Sequence, residues 1–346
     1  MDVHLDFPSS FVLQNICDIT KPVFELKRNP NGSLANKMAL DWFQRFPVYD
    51  TRKAEHWLKS GRFDDFAALS FPDADLSHLE TCIMFFFWAF STDDLSDEGD
   101  LQRKPEGVDD GHNASRKILY DPDAPQPCDS PYAAMLWDIL RRIRSTGNQG
   151  TFRRFIQAYL QFSASQIQQA SNRSLDRIPP VEEFILMRRA TIGAALVEAM
   201  VEYSLDIDLP EYVFEDPIVI AMSQATTDIM TWPNDLCSFN KEQADGDYQN
   251  LVCVLKQENG LSLQAAVDIL TSMIQDRVKE YVDFKQRLPS FGPKVDAALR
   301  KYHAALEHFV QGCIVWYYSS PRYFKDVEPL GKKEVVIELF LKKDVA

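Results

Sequence analysis

The stretch Phe85-Phe86-Phe87-Trp88-Ala89-Phe90-Ser91-Thr92-Asp93-Asp94-Leu95-Ser96-Asp97-Glu98 runs from a block of aromatic residues directly into four carboxylates. In a helix, Phe86, Phe90 and Asp93 fall on one face, because they are four and three positions apart. Asp97 continues that face one turn later. The sequence therefore predicts a helix with one face that is apolar at its start and acidic at its end.

The same helix has recognisable ends in the sequence. Ser77 and Glu80 match a capping box, so we expect the helix to begin at Ser77. Gly99 is a usual stop residue. The carboxylates then lie in the last turn, where the helix dipole and mutual repulsion disfavour each charge by ~0.3–1 kcal/mol. We expect a cation to offset them; the alternative is an acidic helix end exposed to solvent.

Composition limits the functions that the chain can have. It has 346 residues, 45% of them hydrophobic, and a formal net charge of −14. That charge argues against nucleic acid and anionic membranes as partners, and it is compatible with divalent cations. The first ten residues do not form a signal peptide, and no apolar run is long enough to span a membrane. The six cysteines form no CxxC pair, so we expect reduced cysteines in a cytoplasmic protein.

Helical periodicity extends from about Leu34 to Ser319, and strand patterns are scarce. We therefore expect a single all-α domain at residues 34–325, preceded by an extended arm at 1–33 and followed by a tail at 326–346 of undecided conformation. The segment between the stop glycine and Ser130 is rich in proline and glycine. It predicts a long loop with a short helix at 112–119, which is either a lid or an insertion.

A second oxygen-rich motif lies on a later helix. Asn234, Ser238 and Glu242 are four residues apart in turn, so their amide, hydroxyl and carboxylate oxygens share a helical face. Hard oxygen donors of this kind suit Mg²⁺. The alternative is a solvated polar face. Pro233 directly precedes the motif and predicts a kink or break there.

Cationic residues near these motifs could hold an anion. Mg²⁺ prefers phosphate oxygens as co-ligands, and arginine binds phosphate through two parallel hydrogen bonds. The candidates are Arg188, Arg189, Lys241 and Arg322, the last of which is followed by Tyr323. Each of the arginines taken alone is more typical of an ordinary surface or ion-pair residue.

Taken together, these motifs resemble the class I terpene cyclases, in particular the microbial, fungal sesquiterpene synthases. The resemblance covers most of the chain and rests on the order and intervals of the aspartate-rich motif, the two adjacent arginines, the Asn-Ser-Glu motif and the late Arg-Tyr pair. It implies an α-helical bundle around a central apolar cavity, with three Mg²⁺ ions bound between the two metal motifs. The implied metal ligands are Asp93, Asp94, Asp97 and Glu98 on one side, and Asn234, Ser238 and Glu242 on the other.

The resemblance also implies the roles of the cations and aromatic residues. Either Arg188 or Arg189 senses the substrate diphosphate, and Arg189 is preferred because Gly193, the expected helix break, follows it by four residues. Lys241, Arg322 and Tyr323 bind the same diphosphate. Phe86, Phe90 and Trp316 are expected on the cavity wall, where cation–π attraction contributes ~0.5–2 kcal/mol each. Trp88 points away from the acidic face and is assigned to packing.

The implied function is a Mg²⁺-dependent sesquiterpene synthase that ionises farnesyl diphosphate and cyclises the carbocation. The alternatives are cyclisation of a C10 or C20 diphosphate, chain elongation by a prenyltransferase, and a non-catalytic helical binding protein. A prenyltransferase would need a second aspartate-rich motif at residues 234–238, and a class II cyclase would need a DxDD motif that this sequence lacks. Cys313 stands where relatives often carry asparagine. Whether the protein is a monomer or a homodimer is left open.

Overall fold

The fold is known from a computed structural model that describes residues 5–97, 101–121, 123–325 and 327–342. The side chains of Asp97 and Tyr120 lie outside this description. Within the described ranges the helices are α1 Ile16–Thr20, α2 Gly32–Phe43, α3 Thr51–Gly61, α4 Phe63–Ser70, α5 Leu76–Asp97, α6 Pro105–Tyr120, α7 Pro131–Thr146, α8 Gln149–Ser174, α9 Val181–Thr191, α10 Ala194–Ser204, α11 Glu211–Phe214, α12 Pro217–Ala244, α13 Leu251–Asn259, α14 Leu263–Gln286 and α15 Pro293–Ser319. Two short strands, β1 Ser10–Gln14 and β2 Glu334–Glu338, complete the described elements.

The aromatic helix α5 lies at the centre of the bundle. Every residue from Leu79 to Trp88 is buried, on all sides of the helix. A helix that is apolar all round must be surrounded by other helices. Helices α2, α4, α7 and α10 pack against α5, which confirms the all-α class predicted from the sequence.

A second group of helices forms around α12. It packs against α9, α13, α14 and α15, while α8 packs against α6, α9 and α10. Helices α4 and α15 approach closely at Gly312, where a Cβ atom would lie 2.5 Å from the carbonyl oxygen of Leu69. Glycine is therefore required for this helix contact.

Several helix starts agree with the sequence. Asp50, Ser130 and Asp216 cap α3, α7 and α12 by accepting hydrogen bonds from first-turn amides, as is typical of these residue types. The predicted capping box at the start of α5 is wrong. Asp75 caps this helix, since its carboxylate accepts from the His78 amide at 2.9 Å. Glu80 instead forms an ion pair with Arg142 at 3.0 Å.

The loop predicted before Ser130 is wrong at residues 105–111, because the short helix expected at 112–119 begins earlier, at Pro105. Helix α6 occupies this segment, with Pro105 in its first turn, where a missing amide hydrogen costs nothing. Its buried residues Val108, His112, Ser115 and Ile118 recur at helical spacing. Glycine and proline content concealed this pattern. The predicted stop at Gly99 lies outside the described residues.

The N-terminal arm and the C-terminal tail pair with each other, although no strand was predicted. β1 and β2 are antiparallel, and Ser10 is opposite Glu338. Beyond β2, Asn240 and Gln243 hydrogen-bond to the tail at Glu338 and Phe340. The two terminal segments therefore pack on the side of α12 that faces away from Ser238 and Glu242.

Helix α12 continues without interruption through Pro233, so the predicted break is wrong. Gly193 does interrupt the helix that carries the two arginines: it has φ 73° and separates α9 from α10. In the described part of the chain, no helix is both long and apolar enough to cross a bilayer.

Candidate active site

A cavity of about 180 Å³ lies between α5, α8, α9, α12 and α15. Its polar end is partly exposed, and the aromatic side chains of its opposite end are buried. The polar lining residues include Asp93, Asp94, Arg188, Asn234, Ser238, Lys241, Glu242, Arg322 and Tyr323. The cavity therefore brings both predicted metal motifs and the predicted cations to one end of an apolar chamber.

The two described aspartates of the first motif have different surroundings. The Asp93 carboxylate accepts a hydrogen bond from the Gln166 amide at 2.9 Å. Asp94 is engaged at both oxygens, by Arg322 at 2.7 Å and by the Trp57 indole at 2.6 Å. Burial opposes its charge, but Arg322 and the Trp57 hydrogen bond bring the pKa of Asp94 below its ordinary value. Both carboxylate oxygens of Asp94 are therefore occupied by donors from the protein in this structure.

The side chain of Asp97 and the whole of Glu98 lie outside the described residues.

The second motif shares one face of α12, as its spacing predicts. The Asn234 amide oxygen accepts from Arg188 at 2.8 Å, and Glu242 accepts from Asn250 at 2.7 Å. Ser238 is buried, and its hydroxyl has no hydrogen-bond partner among the described residues. Burial, together with nearby acids that include Asp235, raises the pKa of Glu242 to about 7.

The consecutive residues Arg322 and Tyr323 connect the two motifs. Arg322 binds Asp94, while the Tyr323 hydroxyl accepts from the Asn234 amide at 3.1 Å. The Arg322 guanidinium also lies over the Phe90 ring, 5.4 Å from its centroid. One dipeptide after α15 therefore contacts both helices that carry the predicted metal motifs.

The two adjacent arginines point in different directions. Arg188 lines the cavity and donates to Asp235 at 2.9 Å. Arg189 is not among the cavity-lining residues, and it donates two hydrogen bonds, at 2.8 and 2.7 Å, to the buried Asp228. Arg189, the preferred candidate, therefore faces Asp228, and Arg188 is the member of the pair that lines the cavity.

The aromatic wall differs in part from the sequence expectation. Phe86 and Phe90 line the cavity as expected. Trp316 does not; its ring stacks behind Phe66 at 4.3 Å, and its indole donates to the Gly61 carbonyl. Phe66 lies between Trp316 and Phe86, whose ring is stacked on its other side at 4.1 Å.

Trp88 was assigned to packing, and that assignment is incomplete. It is fully buried, yet it lines the cavity, and its indole nitrogen has no hydrogen-bond partner in the described part of the chain. The cavity extends around α5 far enough to include both Trp88 and Asp93.

Other site residues were not found from the sequence. Gln166 holds Asp93, Asp235 holds Arg188 and Asn250 holds Glu242. Asp235 is fully buried. Its position directly after Asn234, a predicted metal ligand, was the one signal in the sequence that it belongs to the site. The other two lie on separate elements, and no spacing rule connects them to the carboxylates that they contact.

The oxygen donors fit a divalent cation that is completed by a ligand. Within the described residues, no three His, Cys, Asp or Glu side chains come together as a metal site. Asn234, Ser238 and Glu242 supply an amide, a hydroxyl and a carboxylate, which leaves positions for water and an anionic substrate. The buried Ser238 hydroxyl without a partner is the feature that such a cation would satisfy.

Comparison with known proteins agrees with this arrangement. Residues 84–280 match the family model described as terpene synthase family 2, C-terminal metal binding. Sesquiterpene synthase Agr1 of Cyclocybe aegerita is 34% identical over 79% of this chain and 76% of its own length. Alpha-muurolene synthase of Coprinopsis cinerea is 31% identical over 96% of this chain and 78% of its own length. The solved germacradien-4-ol synthase of Streptomyces citricolor has the same fold, with a TM-score of 0.74 and 22% identity over 85% of this chain and 96% of its own. The chain therefore belongs to the class I terpene synthases, a family of terpene cyclases, and is similar in sequence to its fungal sesquiterpene synthases.

Proposed function

We propose that the protein is a Mg²⁺-dependent sesquiterpene synthase that ionises farnesyl diphosphate and cyclises the resulting carbocation. The observation that carries this proposal is the joint lining of one cavity by Asp93 and by the Asn234, Ser238 and Glu242 face of α12. A site with charged groups at one end and aromatic side chains at the other suits a substrate with a diphosphate head and a hydrocarbon tail.

The polar end would hold the diphosphate. Arg188, Lys241 and Arg322 line it, and Tyr323 adds a hydroxyl donor. Asp235 raises the pKa of Arg188 and Asp94 raises that of Arg322, each against the effect of burial, so both guanidinium groups stay charged. As the allylic C–O bond breaks, charge accumulates on the diphosphate oxygens, and these fixed cations stabilise it.

Asn234, Ser238 and Glu242 would hold a divalent cation on one side of the diphosphate. Asp93 would hold a divalent cation on the other side. When bound, Mg²⁺ neutralises negative charge on the leaving group. Three ions are expected from the family resemblance. The amide that Gln166 donates to Asp93, and the one that Asn250 donates to Glu242, fix the orientation of these carboxylates before substrate arrives.

The apolar end would protect and fold the cation. Phe85, Phe86, Phe162 and Phe309 are buried and line the cavity, which excludes water from the reacting hydrocarbon. Ring faces attract a carbocation by ~0.5–2 kcal/mol each. Phe86 presents one face to Phe66, so only its other face is available to the substrate.

The test is incubation of the purified chain with farnesyl diphosphate and Mg²⁺, followed by gas chromatography of the volatile products. A cyclic C15 hydrocarbon or alcohol is the expected product, and its formation should stop when a chelator is added. Parallel reactions with geranyl and geranylgeranyl diphosphates identify the preferred chain length. Longer linear diphosphates, formed only when isopentenyl diphosphate is also supplied, would instead indicate chain elongation. Unreacted substrate under all conditions would refute the proposal.

A further inference from the structure

Asn250 is a buried amide at the junction of the second metal motif and α13. Its side chain is fully buried, and it immediately precedes α13. The amide oxygen accepts from the Val252 backbone at 2.9 Å and so caps that helix. The amide nitrogen donates to Glu242 and to the Asp235 carbonyl, at 2.7 Å in each case.

These three bonds leave only one orientation for the amide. Only the oxygen can accept from the Val252 amide, so the nitrogen must face Glu242 and the Asp235 carbonyl. Both N–H groups of Asn250 are then used. The Glu242 carboxylate therefore meets a donor whose position is set by two other elements, the backbone of α12 and the start of α13.

Glu242 needs such support because of its position. It lies two residues before the end of α12, at the negative end of the helix dipole, which disfavours a carboxylate. Acids also surround it, since Asp235 and Asp247 are near enough to disfavour its charge. A neutral donor can orient the carboxylate here without cancelling the charge that a cation requires.

The same segment also supports the cavity arginine. The Leu251 backbone amide donates to the second oxygen of Asp235 at 2.9 Å, while the first oxygen accepts from Arg188. The Asn250-Leu251 dipeptide thus contacts one candidate metal ligand directly and the diphosphate-facing arginine through one intermediate.

We propose that Asn250 is a positioning residue for Glu242, and that its buried amide holds the carboxylate in the orientation that binds the divalent cation. This inference rests on the proposed function, because it takes Glu242 as a metal ligand. Groups that orient a metal ligand from behind typically change metal affinity 10- to 100-fold when they are removed.

Asn250→Ser separates this role from helix capping. Serine caps helices about as well as asparagine, so the bond to Val252 is kept while both donated hydrogen bonds are lost. Asn148→Ser is a matched control. Asn148 caps α8 through its oxygen and donates its nitrogen to the Ile207 carbonyl at 2.9 Å, away from the cavity.

The measurement is calorimetric titration of the full chain with Mg²⁺ and inorganic pyrophosphate, after thermal unfolding has verified that each variant is folded. We expect about 10-fold weaker binding in Asn250→Ser and a change below about 2-fold in Asn148→Ser. In turnover assays the half-saturating Mg²⁺ concentration of Asn250→Ser should rise by a similar factor, while kcat at saturating Mg²⁺ stays within about 3-fold of the parent.

Two negative results have different meanings. Equal pyrophosphate affinity in Asn250→Ser and the parent would overturn the role of Asn250 and leave the proposed function intact. Absence of Mg²⁺-dependent binding by the parent would overturn the metal site itself. If Asn250→Ser is unfolded at the assay temperature, Asn250→Thr, which keeps a capping hydroxyl and fills more of the space, replaces it with the same expectation.

Discussion

The same substitution at two adjacent positions should impair two different properties of this protein. Arg188→Lys should impair catalysis, and Arg189→Lys should lower stability without much effect on turnover. The reason is their placement, since Arg188 lines the cavity and Arg189 binds the buried Asp228. Lysine keeps the charge in both cases but cannot form two parallel hydrogen bonds.

The expected magnitudes follow from the contacts. Arg189→Lys loses one of two charge-assisted hydrogen bonds, worth ~1.5 kcal/mol. Asp228 keeps its bond to Arg277 at 2.9 Å, so the loss is not that of an abandoned buried charge. An unfolding entropy of about 2.1 cal/mol/K per residue, over 346 residues, converts this loss to a fall in Tm of ~2 °C. For Arg188→Lys, a 10- to 100-fold loss of kcat/KM corresponds to ~1.4–2.7 kcal/mol at the transition state.

The assay pairs thermal denaturation with product formation from farnesyl diphosphate under identical Mg²⁺ concentrations. The parent and both variants are compared in each measurement, so each variant serves as the control for the other. A 10-fold or greater loss of kcat/KM in Arg189→Lys, with Arg188→Lys near the parent, would refute the placement and return the sensor role to Arg189.

Three further outcomes are expected. Asp93→Ala and Glu242→Ala should each lower turnover by ~100-fold or more through loss of a metal ligand. Tm should be nearly unchanged, because burial already disfavours the Glu242 charge. Product formation at the parent rate in either variant would contradict the assignment. His112 is buried with its pKa lowered from 6.5 to about 4, so its contribution to stability is complete above pH 6.5 and declines as the pH falls towards 4. At pH 5 the loss of unfolding free energy is about 2 kcal/mol. The urea midpoints at pH 7.5 and pH 5 should therefore differ less in His112→Gln than in the parent. An identical difference in both proteins would show that His112 is not responsible. Gly312→Ala should lower the free energy of unfolding by ~1–3 kcal/mol, because the new Cβ atom meets the backbone of α4. The control Gly260→Ala introduces only backbone strain and should cost ~1 kcal/mol. A smaller loss in Gly312→Ala than in this control would show that α4 and α15 can move apart.

The features that sequence predicted correctly are those decided by local interactions. Helical periodicity was predicted to end at about Ser319, and helix α15 ends at Ser319. Ser130 with Pro131 fixes the start of α7, because a capping hydroxyl and a proline in the first turn act within four residues. The Asn234, Ser238 and Glu242 face followed from the helical period alone.

The pairing of β1 with β2 could not be predicted in the same way. The two strands are five residues each and are separated by most of the chain. A short strand gains its stability from its partner, so neither segment has a decisive pattern on its own. The strand Glu334–Glu338 does alternate between exposed and buried residues, but it contains only two buried positions.

The choice between two adjacent arginines was also beyond the sequence. Successive side chains on a helix differ by about 100° in direction, so the two arginines cannot both point into the cavity. Which one depends on the rotation of α9, and the bidentate contact of Arg189 with Asp228 fixes that rotation. Asp228 lies 39 residues later on another helix. Tertiary contact, and not local spacing, therefore decided the direction of Arg188.

The partner of each buried carboxylate separates anchors from candidate metal ligands. Asp94 and Asp228 are bound by arginines, which neutralise their charge and make them anchors for those cations. Gln166 donates a side-chain amide hydrogen bond to Asp93, and Asn250 donates one to Glu242. An amide orients a carboxylate while leaving its charge available to a cation. It follows that a variant such as Gln166→Glu, which replaces the neutral donor at Asp93 with a second acid, should weaken Mg²⁺-dependent pyrophosphate binding more than Gln166→Met, which only removes the donor. Calorimetry of the two variants would measure this difference, and equal affinities would show that charge at this position has no influence.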